Sequence, residues 1–269
     1  MQRRILIIDD HDDLASALDE VFTHQGHSVM AVDSRTDALA VGDLSKFDLI
    51  ITDLDVKPGD RVGLSNGKAD ICRIDLPETG EHVKAFKLCT ANYRRGPDID
   101  EEQLRELVAI TLDYKLRHVD TVESVRNLHE KIDFELPSTL ALMHVVLEYL
   151  LKRVEKLGVC KPEQTNLFVA LDEAFVNAIK HGNKYDVSKL VRVSADLSPE
   201  EAKFVIEDEG EGFDVNNILD PLDPENLFKP SGRGVLFIYN IMDEVAYNDR
   251  GNRLTMVKKA VSEPRENVT

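Results

Sequence analysis

The N-terminal third alternates short apolar runs with helical spacing. Arg4-Ile-Leu-Ile-Ile8 is a continuous apolar stretch that predicts a buried parallel strand. Leu14, Leu18, Val21 and Phe22 then recur at helical spacing up to His24, and Gly26 closes that helix. His27 to Val32 predicts a second strand, Thr36 to Val41 a second helix, and Phe47-Asp-Leu-Ile-Ile-Thr52 a third buried strand ending at Asp53. A βαβαβ order implies a doubly wound parallel sheet with helices on both faces. A further helix is expected over Asp100 to Ile110, a strand over Tyr114 to His118, and a connecting helix over Thr121 to Lys131.

Beyond Phe134 the pattern changes. Ser138 is placed to cap a helix whose Leu140, Met143, Val146, Leu147, Leu150 and Leu151 make a broad apolar face. A second helix, from Leu167 to Asn183, buries Leu167, Leu171, Ala174 and Ala178 on one face. Val191 to Leu197, Phe204 to Glu209 and Arg253 to Lys258 alternate and predict an antiparallel sheet. Asp214 to Pro230, which contains three prolines, reads as a long mobile loop, of a kind that is functional or disordered. The chain thus divides into an α/β unit over residues 1–132, an α+β unit over 133–260 and a frayed tail over 261–269.

The second unit carries the sharper chemistry. Glu173 and Asn177 lie one turn apart on a helix. An amide oxygen there can join the shell of a Mg²⁺ bridging phosphates, and a carboxylate can take a proton from an attacking hydroxyl. Phe204, Ile206 and Asp208 share one strand face, so the strand delivers an acceptor-only carboxylate to the edge of an apolar layer. Gly210 and Gly212 then allow a sharp turn beside a flat ligand. Ser231-Gly-Arg-Gly234 precedes an apolar helix whose free N–H groups suit phosphate.

In this order the three stretches resemble the nucleotide-binding boxes of the GHKL ATPase superfamily, the Bergerat fold, over about residues 134–260. Glu173 and Asn177 match the N-box, Asp208-x-Gly210-x-Gly212 the first glycine box, and Gly232-x-Gly234 the second. The wording LDEAFVNAIKHGN, DEGEGF and GRGVLFIYNIMDEV is similar to the anti-sigma-factor type of serine protein kinase. The resemblance implies ATP and Mg²⁺ as cofactors, with Mg²⁺ held by Asn177 and the triphosphate. It implies Glu173 as the base, Asp208 on the adenine, Arg233 offsetting phosphate charge, and Thr255 as a hydroxyl near the base. The implied substrate is an anti-anti-sigma protein of the STAS type. Sigma-factor binding by the same domain and a homodimer are implied too. Two alternatives stand beside this: a nucleotide-gated module that sequesters its partner without phosphotransfer, and an atypical histidine kinase. His144 lacks the neighbours of a histidine-kinase H-box.

In the first unit, Asp9, Asp10 and Asp53 follow apolar runs and are expected at one sheet edge. Carboxylates gathered there would repel unless a cation such as Mg²⁺ offsets them. The arrangement resembles flavodoxin-like response-regulator receiver domains, over about residues 1–130. Asp9 and Asp10 then match the metal-binding acids, Asp53 the phospho-acceptor and Thr90 the switch hydroxyl. The family's lysine falls at Arg117, with Lys115 on the same expected strand face. The segment between Asp53 and Thr90 is longer than the family's. The resemblance implies an upstream histidine kinase or other phosphodonor, and a docking-only pseudo-receiver is the alternative.

Composition adds exclusions. With 33 basic and 50 acidic residues the net charge is −17, which argues against nonspecific binding to DNA or anionic membranes. Cys72, Cys89 and Cys160 are scattered, so reduced thiols and a cytoplasmic setting are expected, with Cys89 a small buried hydrophobe. No apolar run approaches membrane length.

Overall fold

The computed structural model describes residues 2–57, 62–65, 70–74, 83–90, 100–120, 129–215 and 233–260. Its strands are β1 (Arg4–Asp9), β2 (Ser28–Val32), β3 (Leu49–Val56), β4 (Val62–Ser65), β5 (Asp70–Ile74), β6 (Val83–Cys89), β7 (His129–Pro137), β8 (Leu190–Leu197), β9 (Glu201–Asp208), β10 (Glu244–Tyr247) and β11 (Arg253–Lys259). The α-helices are α1 (Ala15–His24), α2 (Arg35–Ala40), α3 (Glu101–Tyr114), α4 (Leu140–Leu157), α5 (Pro162–Thr165), α6 (Leu167–Val176) and α7 (Arg233–Ile241).

Nine strands form one sheet in the order β10-β11-β9-β8-β7-β6-β3-β1-β2, and β4 and β5 pair as a separate antiparallel hairpin. The N-terminal βαβαβ is as expected: β2, β1 and β3 are parallel. The departure begins at β6, which runs antiparallel to β3 with Ile50 opposite Cys89 and Val56 opposite Val83. A parallel neighbour needs a long crossover, usually a helix over one face. Here the described part of the connection is the β4–β5 hairpin, and the chain returns alongside β3 in the opposite sense. The described residues therefore do not form an all-parallel receiver sheet.

Strand β6, helix α3 and strand β7 make a βαβ unit, with β6 and β7 parallel. Strand β7 then pairs antiparallel with β8. The expected boundary at 132/133 consequently falls inside β7, a strand paired on both sides. One apolar core crosses that boundary, joining Ile5, Ile7, Leu18 and Leu49 to Phe134, Leu147, Leu150 and Leu171 through Phe86 and Leu88. A smaller cluster under α2, including Leu6, Ile8, Ala38 and Phe47, covers the opposite face of the N-terminal strands. At about 1.5–3 kcal/mol per fully buried large apolar side chain, this shared core welds the two halves into one body.

Several local expectations shift. The stretch after Tyr114 is not a strand: Lys115–Val119 continues α3 as a π-turn. Within the expected connecting helix, residues 121–128 lie outside the described residues and His129 to Lys131 belong to β7. Helix α4 is capped by Thr139, whose side chain accepts from Leu142 N, and not by Ser138. His144 is exposed on α4. Cys160 is free and buried, whereas Cys89 is disulfide-bonded, against the expectation of reduced thiols; the Cys72 side chain lies outside the described residues. No helix among the described residues is long and apolar enough to cross a membrane.

Candidate functional site

The N-box helix is amphipathic at its start and loosened at its end. Helix α6 buries Leu167, Ala170, Leu171, Ala174 and Phe175, which leaves Glu173 half-exposed on another side. From Asn177 to Gly182 the helix widens into a π-turn, a distortion frequent at functional sites. Glu173, Asn177, Asp208, Gly212 and Gly234 line a single cavity of about 740 Å³, together with Lys180, His181, Tyr247, Asn252 and Leu254.

Glycines make this cavity possible. A Cβ on Gly182 would run into the Asp208 carboxylate, and one on Gly210 would meet both that carboxylate and the Gly182 carbonyl. Gly212 has φ +77° and abuts the Arg250 carbonyl, and a Cβ on Gly234 would overlap the Glu173 carboxylate. Helix α7 can therefore approach α6 only because its first turn lacks a side chain there. Gly232 lies outside the described residues, as does the Arg233 side chain, so neither is placed.

Asp208 is held by its neighbours. Its Oδ1 accepts from Gly210 N at 2.7 Å, its N–H donates to Asn252 O at 3.0 Å, and Asn252 Nδ2 donates to Asp208 O at 2.8 Å. Burial pushes the Asp208 carboxyl above the usual carboxylate range, with the Gly210 N–H opposing that effect. Arg250 Nη2 donates to Gly210 O at 2.7 Å, clasping the glycine turn to the β10–β11 turn. Behind the turn, fully buried Asn183 donates to Ser138 Oγ and to Leu190 O, and accepts from Glu209 N at 2.8 Å. Asn183, Arg250 and Asn252 were absent from the sequence-derived set; the neighbouring glycines were the only signal near them. Phe213 and Tyr247 meet edge to face at 5.2 Å on the wall beside Asp208, and burial raises the Tyr247 hydroxyl to about 12.

Thr255 does not belong to this site. On β11 it pairs with Val205, while Leu254 pairs with Ile206 on the Asp208 face. Alternation therefore turns Thr255 to the other side of the sheet, where it lines a separate trough with Lys131, Arg192 and Arg253.

The residues in the cavity fit a purine nucleotide. Space that side chains would fill is kept open beside Asp208 and Glu173, an acceptor carboxylate faces an apolar and aromatic pocket, and cationic Lys180 lies on the rim. Mg²⁺ typically takes one or two protein ligands plus phosphates and water, and Asn177 would supply such a ligand.

The expected receiver site is assembled only in part: Asp9 and Asp53 lie side by side across β1 and β3. Asp9 is buried and caps α1, accepting from Leu14 N and Ala15 N at 2.9 Å each and from His11 N. Asp10 accepts from Asp55 N, and burial raises its carboxyl. Asp53 lies within β3 and not at its end, and is 4% exposed. Its Oδ2 accepts from Lys115 Nζ at 2.6 Å. Among the described residues no group of three or more His, Cys, Asp or Glu side chains is arranged to hold a metal ion. Arg117 points away and pairs with Asp113, so Lys115 takes the lysine position, from a helix end. Thr90 follows Cys89, which pairs with Ile50 near the start of β3. The reversal of β6 thus carries Thr90 to the edge opposite that of Asp9, where its hydroxyl donates to Glu135 O at 3.2 Å.

Comparison with known proteins agrees with the second half of this picture. Residues 136–258 match the histidine kinase-like ATPase domain family. The serine-protein kinases RsbW of Bacillus cereus, Bacillus anthracis and Bacillus thuringiensis are each 25% identical over 145 residues, an alignment covering 51% of this chain and 90% of theirs. The match begins at Leu136 in β7 and ends in β11, so it spans the cavity and every element that lines it. The C-terminal half of this chain is thus similar to the histidine kinase-like ATPase domain, the GHKL type, and an α/β unit extends its sheet.

Proposed function

We propose that this chain is an ATP-dependent serine/threonine protein kinase that acts on an anti-anti-sigma protein of the STAS type, and that the same domain binds a sigma factor in the cytoplasm. The observation that carries the reading is the convergence of Glu173, Asn177, Asp208, Gly212 and Gly234 on one cavity. The RsbW relatives, named serine-protein kinases, support the reaction type, and the resemblance of the boxes to anti-sigma-factor kinases suggests the substrate class.

When bound, Mg·ATP supplies the γ-phosphoryl group and neutralises its developing charge. The chain's own residues do the rest. Asp208 accepts from the exocyclic amine of the base, and the open backbone at Gly182, Gly210 and Gly212 admits the ring. Asn177 would hold Mg²⁺ through its amide oxygen, and Lys180 and Arg233 would offset phosphate charge. Glu173 takes the proton of the acceptor hydroxyl as the new O–P bond forms and ADP departs. Positioning and electrostatics carry most of such a transfer.

Asp53 has no part in this reading as a phosphoryl acceptor: it is buried against Lys115, and although Asp9 lies beside it across β1 and β3, Thr90 lies at the opposite sheet edge. The test separates binding from transfer. Glu173→Ala is expected to keep nucleotide binding and lose transfer, while Asp208→Ala loses binding. Weak nucleotide binding by the first variant would overturn the roles assigned.

A further inference from the structure

Asp53 is the end of a buried chain of charges that crosses from the N-terminal unit into the ATPase domain. Lys115 Nζ lies 2.6 Å from Asp53 Oδ2 and 3.2 Å from Asp120 Oδ1. Arg153, on α4, places Nη1 3.2 Å from Asp120 Oδ2 and donates through Nε to Glu130 Oε2 of β7 at 2.9 Å, with Nη2 on Glu130 Oε1. Tyr149, one turn before Arg153, reaches Asp120 at 3.4 Å. Lys115, Asp53, Asp120, Glu130 and Arg153 are each at most 4% exposed.

The chain is under-satisfied. Asp53 Oδ1, Arg153 Nη1 and Lys156 Nζ are the buried side-chain polar atoms without a hydrogen-bond partner among the described residues. Asp53 and Arg153 belong to this chain, and Lys156 sits one turn along α4 from Arg153. Arg153 Nη1 faces Asp120 closely but without hydrogen-bond alignment. A buried ionic network that is not fully paired adds little stability over apolar packing, and its worth lies in fixing one arrangement of the elements it joins.

Helix α4 links this network to the cleft. Its C-terminal half carries Tyr149 and Arg153. Just before its first turn, Ser138 Oγ accepts from Asn183 Nδ2, and Asn183 in turn holds Glu209 N, the residue after Asp208. The same helix packs against α6, which bears Glu173. The shared ends make α4 a strut between Asp53 and the nucleotide-binding turn.

We infer that Asp53 is a positioning residue for the nucleotide cleft, acting through Lys115, Asp120 and Arg153 on α4. The inference rests on the nucleotide-cleft reading, which ADP titration of the unaltered chain tests separately and first. In the full-length chain, Asp53→Asn keeps the side-chain volume but removes the nearer of the two carboxylates that face Lys115. Its ADP dissociation constant is expected to rise about three- to tenfold, within the roughly two- to thirtyfold coupling carried through packed networks. The double variant Asp53→Asn, Lys115→Met removes both ends of the contact while Asp120 keeps Arg153 and Tyr149, and it is expected to return affinity to within about twofold of the original, since deleting both partners costs far less than leaving one unbalanced. A merely structural role would lower stability in both variants without this rescue. Unchanged affinity in the single variant, or a further loss in the double variant, would overturn the inference. Formation of an acyl phosphate on Asp53 with acetyl phosphate and Mg²⁺ would also overturn it.

Discussion

Gly182 lies so close against the carboxylate of Asp208 that no side chain fits between them. One residue ends the N-box helix and the other ends β9, so this contact joins the two sequence boxes that a nucleotide would bridge. Gly182→Ala forces the carboxylate to rotate away from its place beside the cavity. The fold is expected to survive, at an overpacking cost of about 1–3 kcal/mol. ADP affinity is expected to fall by about tenfold or more, equivalent to ~1.4 kcal/mol. Calorimetric titration beside a thermal melt separates the two effects.

The environment of Asp208 also sets a pH dependence. Burial raises its carboxyl above the ordinary value of 3.8. The ionised form accepts hydrogen bonds at both oxygens, whereas protonation turns one of them into a donor. Nucleotide affinity is therefore expected to be full at neutral pH and to fall as pH drops through a midpoint above 3.8. Asp208→Asn should weaken binding at all pH values and remove this titration. An affinity profile of the parent chain identical in shape to that of the variant would refute the role of the carboxylate.

Arg153 gives a prediction about stability. Its guanidinium faces both Asp120 and Glu130 in the interior. Arg153→Met leaves Glu130 buried without its cation and takes from Asp120 one of its two, a change that costs about 3–5 kcal/mol. Urea denaturation should show a lowered midpoint. Because one core spans both halves, a single transition is expected in the parent chain, and two separate transitions would contradict the continuous-sheet description.

The gathering of Glu173, Asn177, Asp208, Gly212 and Gly234 on one cavity was legible in the sequence because its signals are local. The Glu173–Asn177 spacing, the approach of Asp208 on an alternating strand and the glycines around it each fit within one element and its turn. Thr255 was misplaced although the sequence held the corrective signal: Leu254 and Met256 flank it as the inward apolar pair, so Thr255 must face outward. Thr255→Val is accordingly expected to leave ADP affinity unchanged in the same titration. The first unit was legible only through β3. The direction of β6 depends on how the long connection after β3 returns to the sheet, and no local periodicity encodes that. The same reversal moved Thr90 to the other edge, and the expected strand at Lys115 is instead the end of α3. The buried network was not visible because its members come together from positions 62 and 23 residues apart, as in Lys115 with Asp53 and Arg153 with Glu130.

The most direct test of the account is a transfer assay on the full-length chain with γ-labelled ATP and Mg²⁺, in the presence of soluble extract from its own source. The account predicts an acid-stable label on a small protein, on serine or threonine, that disappears with Glu173→Ala while ADP binding persists. An acid-labile label on the chain itself, or no label anywhere despite intact nucleotide binding, would contradict it.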